Sequence, residues 1–389
     1  MSVMGIAGNG ASYKILQEAG IDDADLIIAV TGSDELNLLC CTIATQVGNC
    51  AAIARVRTPE YSQEAKYLRD KLGLALIINP ELEAAIEMAH ILHLPSSLEV
   101  TNFAHGQAQL IKYEIPEGSI LDGTKLMDLG TRHHANILIG AIERDDEVTI
   151  PSGDFVLRKG DKLSFVGERR HTKEFFSHIG VNTHSVKNTL IIGGGKAAYY
   201  LAKQLISRGI KVKIIENSFE RCEELSILLP DAVIINGDGT EQALLKEEGI
   251  ETCQSFVPLT GIDEENIMLT LYAKQVSNAK VITKLNRITF TNVINSLDLG
   301  SVISPKYITS EAIIAYVRAK KNSMNCNIET LYHMYDSRVE AIEFFVSENS
   351  NVTDIPLRDL KLKKHLLICF INRNGKIIIP TGNDCIRKK

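Results

Sequence analysis

At 389 residues the chain exceeds what one hydrophobic core usually organises, which predicts two to four domains. Its 42 Lys+Arg against 48 Asp+Glu leave a net charge of −6 and no basic stripe, which excludes a nucleic-acid binder whose affinity rests on neutralising phosphates. The cysteines (Cys40, Cys41, Cys50, Cys222, Cys253, Cys326, Cys369 and Cys385) have neither CxxC spacing nor the density of a disulfide framework, so they read as small buried apolar residues in a reducing compartment.

The N-terminus, MSVMGIAGNG, has no secretory-signal character. Apolar runs such as LIIAV (26–30) are strand-length and too short for a membrane span. A soluble, cytoplasmic protein is expected. The adjacent Cys40 and Cys41 read as core packing, since neighbours on a helix point to different faces. The segment GNGASYKILQEAGIDDADLIIAVTGSDELN (8–37) lies without a gap over GDGTEQALLKEEGIETCQSFVPLTGIDEEN (237–266), an offset of 237 − 8 = 229. The same offset carries IARV (53–56) onto ITKL (282–285) and ERDDEVTIPSGD (143–154) onto NRNGKIIIPTGN (372–383). Pro80 meets Pro305 after a slip, at 305 − 80 = 225. A tandem duplication of a unit of about 229 residues, each holding two modules, is expected. Projecting Gly193 back by 229 falls upstream of Met1, and RKGDKLSFVGE (158–168) projects forward past Lys389. The chain is therefore expected to be truncated at both ends relative to a longer parent.

A helical segment, PELEAAIEMAHILHL (80–94), joins the first module to the second. On it His90 and His93 stand three apart like a metal pair but lack further ligands nearby, so a surface or packing role is expected and no metal. The stretch 108–168 mixes strand-period runs, one short helix and the turn signals PEG, PSG and KGD, as in a small α+β module of mostly antiparallel strands. His133 and His134 lie in a loop-like part of it.

From 188 onward strand and helix alternate. TLII (189–192), KVKII (211–215), AVII (232–235), SFVPL (255–259), KVITKL (280–285) and SVIS (301–304) read as strands buried on both faces. Residues 196–209, 219–229, 240–249 and 264–276 read as the helices between them, two ended by glycine. Such repeated units predict a doubly wound parallel sheet of Rossmann type. A second joining helix is expected over 310–322, with a shortened α+β twin after 330. The expected division is 1–95 and 186–309 for the Rossmann-type domains, the first incomplete, and 96–185 and 310–389 for the α+β modules, the last incomplete.

The stretch IIGGGKAAYY (191–200) runs from strand through glycines into helix. Gly193 and Gly195 fill the first two places of GxGxxG/A and Ala198 the third. Backbone N–H groups of Gly194, Gly195, Lys196 and Ala197 at a helix N-terminus would face an anion, with the Lys196 charge beside them. Glu216 ends the second strand, 216 − 195 = 21 residues on, where a carboxylate accepts ribose hydroxyls and repels a 2′-phosphate, favouring NAD over NADP. At other strand ends, Asp238 faces an adenine edge or caps the next helix, Thr260 and Gly261 approach ribose and phosphates, and Lys284 balances phosphate charge or is a solvated lysine. Thr31 and Arg55 are the first-copy equivalents of Thr260 and Lys284 and form only part of a site.

A dehydrogenase would need a substrate domain bringing an acid or base to the nicotinamide, and no such constellation stands out. Nucleotide domains repeated with small β-rich modules point to binding used as a signal. An NAD-dependent oxidoreductase is the alternative, and a purely structural ring component a third. IIGGGKAAYYLAKQL, NGDGTEQALLKEEGI, AVTGSDELNLLCC, LTGIDEENIMLTLYAK and the P-x-G-D…L-x-x-G-D pair at 151–161 together resemble the TrkA family of Trk potassium uptake proteins, tandem KTN (RCK) domains, over essentially the whole chain. The resemblance implies alternating RCK N-terminal and C-terminal domains and no catalytic residues. It also implies a peripheral subunit at the inner face of the plasma membrane that binds NAD, NADH, ATP or ADP. That subunit would regulate an integral-membrane potassium channel or transporter of Trk/Ktr type as a homo-oligomer, usually a tetramer. The loop Gly193 to Ala197, Glu216, Thr260 and Lys284 match the family's nucleotide site, and Thr31 and Arg55 the remaining part of another. The chain departs from the family in lacking the first glycine loop and first acidic strand end.

Overall fold

Short β-branched runs, each followed by a stretch with helical apolar spacing, build parallel strands joined by crossover helices. The computed structural model describes residues 3–387 apart from 49, 95, 105–106, 133–135, 182, 288–293, 295–296, 323–326, 336–337, 347–349, 351 and 364. His133, His134 and Cys326 lie outside the described residues. Strands β1 (Leu26–Ala29), β2 (Ala51–Arg55) and β3 (Leu76–Ile78) form a three-stranded parallel sheet in that order. Helix α1 (Asp34–Val47) opens on Ser33, whose Oγ accepts from the Leu36 N–H, and it buries Cys40 and Cys41 together in the core beneath the sheet. Helix α2 (Pro80–His93) starts with proline at its first turn and Asn79 as N-cap.

The first α+β module is a five-stranded antiparallel sheet. Its strands β4 (Glu99–Phe103), β5 (Ala108–Glu114), β6 (Leu138–Arg144), β7 (Glu147–Thr149) and β8 (Lys162–Glu168) run in the order β4-β5-β8-β6-β7. Helix α3 (Arg169–His178) follows and buries Phe175 and Phe176 edge-on against Phe165, with ring centroids 5.4 and 5.7 Å away.

The second Rossmann-type domain has strands β9 (Asn188–Ile192), β10 (Lys211–Glu216), β11 (Val233–Asn236), β12 (Ser255–Pro258), β13 (Lys280–Lys284) and β14 (Ser301–Ile303), all parallel. Helices α4 (Lys196–Ile206), α5 (Phe219–Leu228), α6 (Gln242–Glu247) and α7 (Asp263–Val276) link the first five strands. The order β11-β10-β9-β12-β13-β14 reverses direction between β9 and β12, which is where a doubly wound sheet opens a crevice at its carboxyl edge.

Helix α8 (Pro305–Asn322) begins five residues earlier than the expected 310. Pro305 starts it as Pro80 starts α2, because a ring-locked φ and a missing N–H cost nothing in a first turn. The last part of the chain departs further from its twin. Among the described residues, strands β15 (Asn327–Met334) and β16 (Val339–Phe345) pair only with each other, as do β17 (Ile371–Arg373) and β18 (Lys376–Ile378).

The duplication survives in the register. Leu26 faces Ala51 and Ser255 faces Lys280, both pairs 229 apart between copies. The first sheet is thus the counterpart of β12, β13 and β14. The β6–β7 and β17–β18 hairpins both turn through two residues of positive φ, Asp145 with Asp146 and Asn374 with Gly375, again 229 apart. That is the backbone twist favoured in two-residue hairpins.

Helix α2 lies against α4 and ties the first half of the chain to the second. The hydroxyl of Tyr200, on α4, donates to the Arg57 carbonyl at 2.9 Å and accepts from Asn79 Nδ2 at 3.0 Å. The two α+β modules meet in a shared apolar cluster containing Phe103, Leu110, Val166, Met334 and Tyr335. Across that contact Glu343 accepts the Ala104 N–H at 3.0 Å, and the Tyr335 and Ser164 hydroxyls lie 2.7 Å apart. Because Tyr200 is buried, Tyr200→Phe leaves a carbonyl and a carboxamide short of a partner. It is expected to cost about 1–3 kcal/mol, read as a lower urea midpoint with an unchanged slope.

Candidate functional site

Between β9 and α4 the chain turns at Gly193, φ +92°, whose N–H donates to the Ile215 carbonyl at 2.8 Å. A side chain there would begin 3.1 Å from the Leu259 carbonyl oxygen, so both conformation and space demand glycine. At Gly194 a Cβ would come within 2.6 Å of Leu225 Cδ1. Gly195 is different: its φ of −67° suits any residue, and a Cβ would meet nothing within 4 Å. Nothing among the described residues requires that glycine, and the missing side chain leaves the backbone open to approach from outside. Gly195 is also the N-cap of α4, which has no side-chain cap and no acidic residue in its first turn. The helix therefore presents N–H groups and its positive end to the crevice. These features fit the phosphates of a nucleotide.

Glu216, at the carboxyl end of β10, is already engaged. Its Oε2 accepts the Gly194 N–H at 2.6 Å and its Oε1 accepts the Ser218 N–H at 2.8 Å. One of the four N–H groups expected to face an anion is thus held by the carboxylate, whose oxygens each keep a second lone pair for a hydroxyl donor. Arg221 grips the same loop from α5, donating from Nε to the Gly194 carbonyl at 2.7 Å. Asp238 does not cap the following helix, whose N-cap is Glu241. Its Oδ1 instead closes a turn by accepting the Thr240 N–H at 2.8 Å and hydroxyl at 2.7 Å, and these bonds hold its carboxyl below the usual range.

Thr260 and Lys284 meet through a residue the sequence reading passed over. Asn266, fully buried on α7, accepts the Thr260 N–H at 3.0 Å and donates from Nδ2 to the Lys284 carbonyl at 3.0 Å. Lys284 is not a solvated strand-end lysine: burial pushes its ammonium below the usual range against the pull of Asp263 and Glu81, and Nζ donates to the Leu259 carbonyl at 3.3 Å. Asp263 accepts the N–H groups of Asn286 and Arg287, each at 2.8 Å.

The first copy repeats this set at an offset of 229. Asn37 accepts the Thr31 N–H at 2.7 Å and donates to the Arg55 carbonyl at 2.9 Å. Asp34 accepts the N–H groups of Arg57 at 2.8 Å and Thr58 at 2.7 Å. Arg55 Nη2 reaches the Thr31 carbonyl at 2.7 Å, and burial lowers its pKa. The signal was present in the sequence, since T-G-x-D-E-x-N stands at both 31–37 and 260–266. The two regions also touch: Lys196 Nζ, on the glycine loop, donates to Thr58 Oγ1 at 3.2 Å. Among the described residues no group of three or more His, Cys, Asp or Glu is placed to hold a metal, and the described cysteines are unpaired thiols.

The architecture and the cleft define a nucleotide-fold protein in which Rossmann-type domains alternate with small α+β modules. Comparison with known proteins agrees: the TrkA-N domain matches residues 2–80 and 189–305, and the TrkA-C domain matches 110–180. The chain is 33% identical over 396 residues to the Trk system potassium uptake protein TrkA homolog 1 of Methanosarcina mazei, covering 100% of this chain and 86% of that protein. It is 32% identical over 386 residues to the TrkA homolog of Archaeoglobus fulgidus (99% and 86%), and 30% identical over 383 to TrkA of Halomonas elongata (97% and 83%). In fold it is similar to the crystal structure of the GsuK RCK domain, with a TM-score of 0.63 at 19% identity, covering 83% of this chain and 69% of that one. The GsuK channel bound to NAD gives 0.62 at 18% identity, covering 98% and 66%. The chain belongs to the TrkA family.

Asp34 supplies a test of the bonds that hold the end of β2. Burial works against its charge, but the bonds from Thr58 and Arg57, with Lys196 nearby, outweigh it and hold the carboxyl below the usual aspartate value. A depressed folded pKa gives stability that is complete above the unfolded pKa of about 3.9 and is lost as pH falls through the lower folded value. Asp34→Ala is therefore expected to cost about 2–3 kcal/mol near neutral pH, with the gap to wild type narrowing below about pH 4 when denaturation midpoints are compared across pH.

Proposed function

We propose that this chain is a regulatory subunit that binds an adenine nucleotide, NAD(H) or ATP/ADP, in the crevice between β9 and β12 and performs no catalysis. The observation that carries the reading is the pairing of an open Gly195 and an uncapped α4 with Glu216 across the crevice. On this reading the N–H groups from Gly195 to Ala197 bind phosphate and Gly193 and Gly194 shape the loop. Glu216 takes ribose hydroxyls, Lys284 and Thr260 line the opposite wall, and Asp238 stands toward the base. Thr31 and Arg55 form a partial second site. The names of the relatives, Trk system potassium uptake proteins, support a membrane potassium channel or transporter as the regulated partner. No helix among the described residues is long and apolar enough to cross a membrane, so the membrane-spanning role falls to that partner, with the subunit at its cytoplasmic face as a ring, by family resemblance a tetramer.

The mechanism is linkage. A nucleotide bound more tightly by one arrangement of the ring shifts the population toward it. A fourfold affinity difference at each of four sites amounts to about 3.3 kcal/mol, enough to move an evenly poised switch almost completely. Titrating NADH, NAD and ATP into the purified chain is expected to give one site per chain, weakened about tenfold or more in Glu216→Ala, since a charge-assisted pair of bonds to the ribose is lost. Catalytic consumption of NADH with an oxo-substrate, or formation of NADH from NAD with a hydroxy-substrate, would favour the oxidoreductase reading instead.

A further inference from the structure

A cavity of about 360 Å³ opens where the last turn of α2, the β4–β5 hairpin, α3 and the turn after α4 come together. It lies at the opposite end of α4 from the glycine loop and serves no role in the nucleotide reading. Its charge is one-sided. Arg169 and Lys173 enter from α3, Arg208 from the turn after α4, and His90 and His93 from α2. Among the described residues none of the three permanent cations is in an ion pair with a carboxylate. Arg208 Nη1 donates to the Ala89 carbonyl at 3.0 Å, and Arg169 Nη2 bonds to His93 Nε2.

The charges acting on these groups are cationic throughout. Burial, then Arg208, Arg169 and His93, push the His90 imidazole down to about 4. Burial, then Arg169, Lys173 and Arg208, do the same to His93, and burial and Arg169 lower Arg208. Thr172, 1% exposed, lines the same cavity, and its hydroxyl has no hydrogen-bond partner among the described residues. Two guanidinium groups and an ammonium converging without a counter-charge repel one another, join burial in keeping the two imidazoles neutral, and leave donors unused. An anion with several acceptor oxygens satisfies both.

We propose that this cavity is a second ligand site, for a small phosphate-bearing anion, held by Arg169, Lys173 and Arg208. Guanidinium forks match phosphate oxygens in geometry, and the volume lies within the range of about 300–1,000 Å³ usual for small-molecule sites, leaving room for an organic body beyond the phosphate. The bound anion would join three parts of the chain: the first α+β module through α3, the joining helix α2, and the far end of the helix whose N-terminus carries the glycine loop.

The test is calorimetry on the full chain with inorganic phosphate and with glycerol 3-phosphate, at fixed ionic strength set with chloride. Both are expected to bind, and Arg208→Ala and the double variant Arg169→Ala/Lys173→Ala are each expected to weaken binding about tenfold or more. Tighter binding of glycerol 3-phosphate than of phosphate assigns the site to a phosphorylated metabolite, and equal binding to free phosphate. NADH titration of the same variants shows that they are folded and separates this site from the crevice. Silence toward both probes in the wild-type chain, or unchanged affinity in variants that still bind NADH, would overturn the proposal. If NADH does not bind the wild-type chain either, far-ultraviolet circular dichroism and the urea midpoint serve as the folding control and the phosphate result stands alone.

Discussion

Two buried carboxamides, Asn37 and Asn266, fix the distance between neighbouring strand ends on which each cleft depends. Each accepts an N–H from the threonine after one strand and donates to the carbonyl ending the next. Both are fully buried, so a lost bond would leave a desolvated polar group behind. An Asn side chain is suited to the task because it offers an acceptor and two donors at once. With β12 and β13 held this way, the Leu259 carbonyl stands 3.1 Å from where a side chain on Gly193 would start. The narrowness of the crevice, and hence the glycine, follows from the pairing of β9 with β12, where the Leu259 N–H donates to the Ile192 carbonyl at 2.7 Å.

The sequence carried the fold further than it carried the site. Periodicity located the strands of the second Rossmann-type domain to within a residue or two, because strands buried on both faces have little room for any but β-branched and aliphatic side chains. The offset of 229 survived as strand register and even as the φ > 0 pair in two hairpins. Helix α3 was not anticipated, since RRHTKEFFSH (169–178) shows a mainly charged surface and buries only Thr172, Phe175 and Phe176. The split of the second α+β module into two separate strand pairs depends on what each pair packs against, which local pattern does not encode. Glu216 was legible by spacing, but its bond to the Gly194 N–H belongs to tertiary geometry. Asn266 and Asp263 were legible in principle, as repeated polar residues in the paired T-G-x-D-E-x-N segments. A polar residue on a helix reads first as solvated, and only burial reveals it as a latch.

The first half of the chain does more than repeat the second. Thr58 receives the Lys196 ammonium from the glycine loop, so the loop that binds phosphate by the proposed reading leans on its neighbour. Glu81, at the start of α2, lies close enough to stabilise the charges of both Lys284 and Arg55. Adding phosphate charge beside Lys284 would alter the field at Glu81, and with it the ion pair Glu81 makes with Arg57 at 3.9 Å. The partial cleft is thus electrically joined to the complete one without needing a ligand of its own.

The packing of α4 offers a path for mechanical coupling. The helix begins at the glycine loop, is clamped to the first domain at Tyr200 and is followed by Arg208, which is bonded to the Ala89 carbonyl of α2. A helix packed this closely moves as a body, because core side chains in rotamer minima resist continuous deformation and change packing in discrete steps. If a phosphate bound as proposed shifted its N-terminus, that shift would be felt at Tyr200 and at Arg208. There it meets α2, which leads directly into β4 and the antiparallel sheet. On the proposed reading, such a linkage suits a subunit whose output is the relative placement of its domains.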